Sequence, residues 1–201
     1  MKNNIYIIFT TVTIIPIITF SSFMMSSSFS SFLQYFPNKL LLSVESFAQT
    51  SHRGDNSSLS LSNLINQGSP YLGSKLAPVI LIDFSDLQCK LCQRFVKYIE
   101  PQINSTYVQT GKSLLVFKHL PNRGFDSFPA SLAAQCTNDQ GKFWQFHNFL
   151  YDIQGPIDSG WASKDNLEKF ASQMPGLDIQ KFKPCFENQK YKSLIDADIA
   201  L

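Results

Sequence analysis

The spacing of hydrophobic positions changes along the chain, and each change marks a different kind of element. From Asn3 to Asn38 no side chain is charged, and Ile5 to Met25 is dominated by Ile, Phe, Thr, Val and Met. An apolar run of about 20 residues is enough to cross the hydrocarbon core as a helix, with Lys2 and the amino terminus holding the cytoplasmic side. Residues 1–48 are therefore expected to be an N-terminal membrane anchor, with a cleaved signal segment ending near Ala48 as the alternative. Either outcome exports the rest of the chain. Residues 49–69 are polar, with little to bury, and read as a linker.

Beyond the linker the pattern becomes that of a folded domain over residues 70–201. Tyr71 to Ala77 offers an edge strand or a loop, and Val79 to Phe84 is an almost unbroken apolar run of strand length, expected to be buried on both faces. After Cys89 the apolar residues Cys92, Phe95, Val96, Ile99, Ile103 and Tyr107 recur every three or four positions, the stripe of a helix that Pro101 kinks and Gly111 closes. Ser113 to His119 is a second strand, so strand, helix and strand form a right-handed parallel crossover. Further helices are expected at Ala130–Thr137, Lys142–Tyr151, Lys164–Met174 behind a Ser163 cap, Ile179–Glu187 and Lys190–Leu201. The expected fold class is α/β: a βαβ unit with a helical subdomain inserted over about 128–190.

Length and charge narrow the function without naming it. A chain of 201 residues supports one core of ordinary size, and 17 basic against 15 acidic residues leave a formal charge of +2. That balance lacks the basic footprint of a nucleic-acid binder, so proteins or small thiols are the expected partners.

Cys89 and Cys92 hold the candidate chemistry. A Cys-x-x-Cys pair at the passage from a buried strand into a helix sets the first sulfur at the helix N-terminus, where unpaired N–H groups and the macrodipole favour an anion. Cys89 is then the attacking thiolate and Cys92 the resolving thiol, the two forming a redox-active disulfide. Lys90 adds a neighbouring cation, expected to lower the Cys89 pKa further. Asp83, an acid within a buried strand, is the candidate proton acceptor for Cys92, the alternative being a strand-end residue that reaches water. A zinc pair and a plain structural bridge are the competing readings of the motif. If Cys89 and Cys92 are one pair, Cys136 is left to bridge Cys185, against the alternative of two buried thiols. No metal ligand set and no cofactor is expected.

The stretch Val79-Ile80-Leu81-Ile82-Asp83-Phe84-Ser85-Asp86-Leu87-Gln88-Cys89-Lys90-Leu91-Cys92-Gln93-Arg94-Phe95 resembles the active-site segment of the DsbA-like thioredoxin family of bacteria and archaea. Val116 to Pro121 resembles that family's second strand, Ala133 to Cys136 and Gln140 to Trp144 the start of its inserted helical domain, and Phe182 to Phe186 its later Phe-x-x-Cys segment. The resemblance, which covers about residue 71 to the last, implies a thioredoxin-like fold and disulfide exchange outside the cytoplasm. It implies Cys89 as nucleophile, Cys92 as resolving thiol and Asp83 as buried acid, with exported proteins as substrates and a membrane redox protein as recycling partner. Lys90-Leu91 departs from the commoner Pro-containing dipeptide. Family members continue into a strand opened by a cis-proline, a further strand and a closing helix, whereas this chain stops at Leu201. A sheet of only two or three strands with a bare edge, and hence low stability or activity, is the corresponding expectation.

Two other functions compete. The dithiol could bind and deliver a soft metal such as Cu(I) outside the membrane, or the chain could be an inactive, truncated membrane-bound interaction module.

Overall fold

A computed structural model describes residue 65, residues 68–201 and the backbone of residues 4–9. They belong to one compact unit, Met1–Thr13 with Ser60–Leu201. The expected linker, apart from Ile65, Gly68 and Ser69, and the expected N-terminal segment beyond Phe9 lie outside the described residues.

Four strands form one sheet: β1 (Asn4–Phe9), β2 (Tyr71–Leu72), β3 (Val79–Ser85) and β4 (Ser113–His119), in the order β1-β3-β4-β2. The parallel pair β3 and β4 runs in register from Val79 opposite Ser113 to Ser85 opposite His119. β2 adds antiparallel to the far edge of β4. Every residue of β4 is buried, whereas Val79 and Leu81 at the start of β3 are only half-buried, so the expectation of a strand enclosed on both faces fails there.

The other edge of β3 differs from expectation in a larger way. β1 lies parallel along it, from Asn4 opposite Val79 to Phe9 opposite Phe84. Four strands replace the expected two or three, and the edge expected to be bare is paired, which removes a row of unsatisfied N–H and C=O groups beside the core. The same pairing takes residues 4–9 into extended backbone, where the apolar pattern predicted the start of a membrane-crossing helix. No helix among the described residues is long and apolar enough to cross a membrane.

Between the parallel strands run α1 (Lys90–Tyr98), the single turn α2 (Glu100–Ile103) and a widened π turn over Asn104–Val108. Pro101 has no N–H to give to the preceding turn, and the helix breaks at Ile99. The break turns the apolar stripe off its course. Cys92, Phe95 and Val96 are buried as the periodicity requires, but Ile99 is 51% and Tyr107 49% exposed, while Glu100 and Val108 face inwards. Gly111, at φ +73°, closes the segment in the left-handed region that glycine enters without strain.

The remaining helices are α3 (Ser127–Asn138), α4 (Phe143–Asp152), α5 (Lys164–Gln173), α6 (Ile179–Glu187) and α7 (Lys192–Ile199), each within a few residues of its predicted span. Ser163 caps α5 by accepting from Asn166 N–H, and Asp178 caps α6 through Gln180 N–H. The side chains of α1 and α3 to α6 pack with Phe117 into the larger core, which includes Phe143, Phe146 and Leu150. Ile80, Ile82, Phe84, Leu114 and Val116 form a second cluster. Alternation along β3 therefore separates Asp83, opposite Phe117, from the cluster of Ile82 and Phe84.

Candidate functional site: a dithiol at the start of a helix

Cys89 is the N-cap of α1. Its backbone is extended (φ −79°, ψ 118°), and its Sγ accepts the Cys92 N–H at 3.3 Å, the position a serine or aspartate oxygen takes in ordinary caps. Cys89 and Cys92 are in the reduced form, not joined in a disulfide, and are 3% and 1% exposed. Hydrogen bonding from Cys92 lowers the Cys89 pKa to about 6 against the opposing effect of burial; the Cys92 and Leu91 amides and the positive charge of Arg123 help. At neutral pH the sulfur is thus largely a thiolate.

Lys90 does not supply that charge. Its Nζ donates to Gln154 O at 2.9 Å, and the cation acting on Cys89 is Arg123, from the loop after β4. Asp86 holds this loop beside the motif. One of its carboxyl oxygens accepts Asn122 N–H and Arg123 N–H at 2.7 and 2.8 Å. The other accepts Gln88 N–H at 2.7 Å and the Ser127 hydroxyl at 2.9 Å. The Asp86 carbonyl accepts Cys89 N–H at 2.9 Å and Tyr151 Oη–H at 3.1 Å. Gln154 closes the other side, donating from Nε2 to Leu87 O and Cys89 O. The turn entering the motif is thus tied to the loop after β4, to α3 and to the end of α4.

Asp83 lies on the floor of the site, 1% exposed. Oδ1 accepts the Ser85 hydroxyl at 2.8 Å, and Oδ2 has no hydrogen-bond partner among the described residues. Burial pushes its pKa up to about 7; the Ser85 bond opposes this and the Cys89 charge adds to it. The alternative of a strand end reaching water does not apply. Tyr151, fully buried, completes the floor, its own pKa raised by burial and by the charges of Cys92, Asp83 and Cys89.

Cys136 of α3 and Cys185 of α6 are joined in a disulfide with their Cα atoms 5.8 Å apart, tying two helices across 49 residues of sequence. In the chain-entropy view such a loop stabilises by up to about 4 kcal/mol. No group of three or more His, Cys, Asp or Glu side chains suited to a metal ion occurs among the described residues.

Arg123, Asp86 and Tyr151 are the residues of the site that sequence reasoning missed or left as loop positions. Arg123 and Tyr151 are far from the motif in sequence, and no spacing rule links them to it. Asp86 carried a partial signal, an acid three residues before a helix cap, but its partners lie at 122–127 and 151.

The chain is similar to known proteins in sequence and in fold. The family model described as Thioredoxin matches residues 65–200. Disulfide bond formation protein D of Bacillus subtilis is 26% identical over 134 residues, which are 66% of this chain and 60% of that protein. Probable disulfide bond formation protein D of Bacillus anthracis is 27% identical over 130 residues, 63% of this chain and 60% of that protein. The chain thus spans about 60% of the length of these relatives. The crystal structure of oxidised BdbD from Bacillus subtilis superposes with a TM-score of 0.59 at 26% identity, covering 66% of this chain and 72% of that one. The chain belongs to the thioredoxin family, on its DsbA-like branch.

Proposed function

We propose that the chain is a thiol:disulfide oxidoreductase that exchanges disulfides with exported proteins through Cys89 and Cys92. The observation behind this reading is the Cys89 sulfur itself: it caps a helix, its pKa is lowered to about 6, and it lies one turn from a second buried thiol. In the oxidised pair a substrate thiolate attacks Cys89 Sγ, and the Cys89–Cys92 bond breaks. Cys92 leaves as a thiolate and takes the proton of Asp83, whose raised pKa lets it act as acid or base near neutrality. A second substrate thiolate attacks the substrate sulfur of the mixed disulfide and releases Cys89 as a thiolate. Two electrons pass from substrate to the pair, and a membrane redox protein removes them again. Because a stabilised thiolate favours the reduced pair, the chemistry runs towards oxidation of the substrate.

The reading extends to location. The domain works outside the cytoplasm, a reading the Cys136–Cys185 bridge supports, since such bridges persist in oxidising compartments. Residues 4–9 cannot both begin a bilayer helix and pair with β3. Alkaline extraction of membranes tests the anchor: a chain held by an apolar segment stays with the lipid, and a chain without one is released.

For the chemistry, the full chain is oxidised and mixed with a reduced, unfolded substrate. Disulfides should appear in the substrate at the expense of the pair, and Cys89→Ser should abolish the reaction; Cys92→Ser, given a disulfide-bonded substrate, should hold the mixed disulfide formed when Cys89 attacks it and one substrate sulfur leaves as a thiolate. Undiminished transfer by Cys89→Ser would sink the reading.

A further inference from the structure

Disulfide exchange through Cys89 and Cys92 uses one buried carboxyl, Asp83, yet the same interior holds a second. Glu100 opens α2 directly after the break at Ile99, and that break is what turns it inwards, to 6% exposure. Glu100 Oε2 and Asp83 Oδ2 are both enclosed with no hydrogen-bond partner among the described residues. A carboxyl oxygen left bare in the interior is costly when ionised and much less so when a proton sits on the group. Burial raises Glu100 to about 8, and the charge of Asp83 adds to the rise.

Ser85 on its own strand donates to Asp83, the Cys89 charge acts on it, and its own charge acts on Tyr151 of α4 and Glu100 of α2. None of these is a cation. Lys118, the lysine of β4, is opposite Phe84 and tied to Asp198. Two like carboxyls with no cation between them cannot both ionise cheaply, so they titrate as a pair.

We propose that Glu100 is a positioning residue for the exchange reaction: it and Asp83 hold one proton between them, and Glu100 is the member that returns protons to water. With that proton on Glu100, Asp83 is ionised and ready as a base. When Cys92 gives up its proton to Asp83, the pair carries two; Glu100, whose outer edge meets solvent, releases one, and the Asp83 proton settles on Glu100. Cys92 is left as the thiolate that attacks Cys89 Sγ of a mixed disulfide. Proton count and charge balance at each step, and no further reactant is needed. The proposal rests on the disulfide-exchange reading but concerns a group that reading does not use.

The test tracks the carboxyl carbons of Asp83 and Glu100 by NMR across pH in the reduced full chain, beside the pH profile of the Cys92-dependent resolution step. The wild-type protein should show two coupled steps. Glu100→Gln should leave a single Asp83 step at lower pH and, with Asp83 now a weaker base, slow resolution about tenfold at neutral pH. Glu100→Asp, which restores a carboxyl, should recover most of that rate. An Asp83 titration or a rate profile untouched by Glu100→Gln would overturn the proposal. If Glu100→Gln does not fold, the wild-type titration decides alone: coupled steps support the pair, and two independent steps near ordinary carboxyl values refute it. Absence of exchange in the wild-type protein would refute the oxidoreductase reading instead, with the titration still judging the pair.

Discussion

Asp83 and Asp198 are equally buried, each 1% exposed, yet their surroundings differ in kind. Asp198 of α7 receives Lys118 Nζ at 2.7 Å and His119 N–H at 3.0 Å, so one oxygen meets a full charge and the other a backbone donor. Among the described residues Asp83 has a single hydroxyl donor and no cation. The strand register explains the contrast. Asp83 is opposite Phe117, and Lys118 is opposite Phe84, so side-chain alternation sends the lysine to the face away from Asp83. One buried acid is a structural tie, and the other is left free to gain and lose a proton. Burial alone does not distinguish them; the partner does.

Breaking the tie should have the largest effect. Lys118→Met leaves the Asp198 carboxyl buried without its cation and should cost about 3–5 kcal/mol of stability, measured by denaturant unfolding. A loss below about 1 kcal/mol would mean that water reaches Asp198.

Neutralising the other acid should have the opposite sign. Folded Asp83 keeps its proton up to about pH 7, against an ordinary value of 3.8, so the folded chain binds more protons than the unfolded one across that window. Stability from this group is therefore full below the ordinary value and declines as pH rises towards 7. Asp83→Asn should raise stability at pH 8 by roughly 4 kcal/mol and change little at pH 3, read from thermal unfolding across pH. The same variant should slow the attack of Cys92 on a mixed disulfide held at Cys89, since Cys92 loses its base.

Smaller effects concern the charges around Cys89. Arg123→Ala should raise the pH at which the Cys89 thiolate forms, monitored by its ultraviolet absorbance, because the cation that favours the anion is gone. Lys90→Gln should move that midpoint least, its ammonium being engaged at Gln154 O. If Lys90→Gln moves it more than Arg123→Ala, the lysine swings to the sulfur in solution.

Much of this site is legible from local pattern. The Cys-x-x-Cys pair, the strands on either side and the start of α1 come from apolar runs and the reach of a cap, all of which act within a few residues. The same rules carried the apolar stripe through Ile99 and past Pro101 to Tyr107, and at those two positions they failed, while Ile103 between them packs against the core. A missing N–H breaks the ladder locally, but the direction in which the next turn rotates depends on what it packs against. Glu100 was consequently invisible as a site residue, since an acid in front of a proline reads as an exposed helix position. The pairing of β1 with β3 is a further case: an uncharged run suits a membrane helix and a buried strand alike, and its partner is some 75 residues away.

The sequence by itself determined the chemistry at the helix start. It contained the two thiols, the spacing that stacks them within one turn, the strand that leads into them and an acid on that strand. Only the tertiary structure decided what surrounds that chemistry: the cation is Arg123 instead of Lys90, Asp86 ties the loops together, Lys118 serves Asp198, and Glu100 turns into the interior, where it feels the Asp83 charge. The physical reason is range. Capping and periodicity act through neighbouring residues, whereas burial, charge and register depend on segments that meet only when the chain is folded.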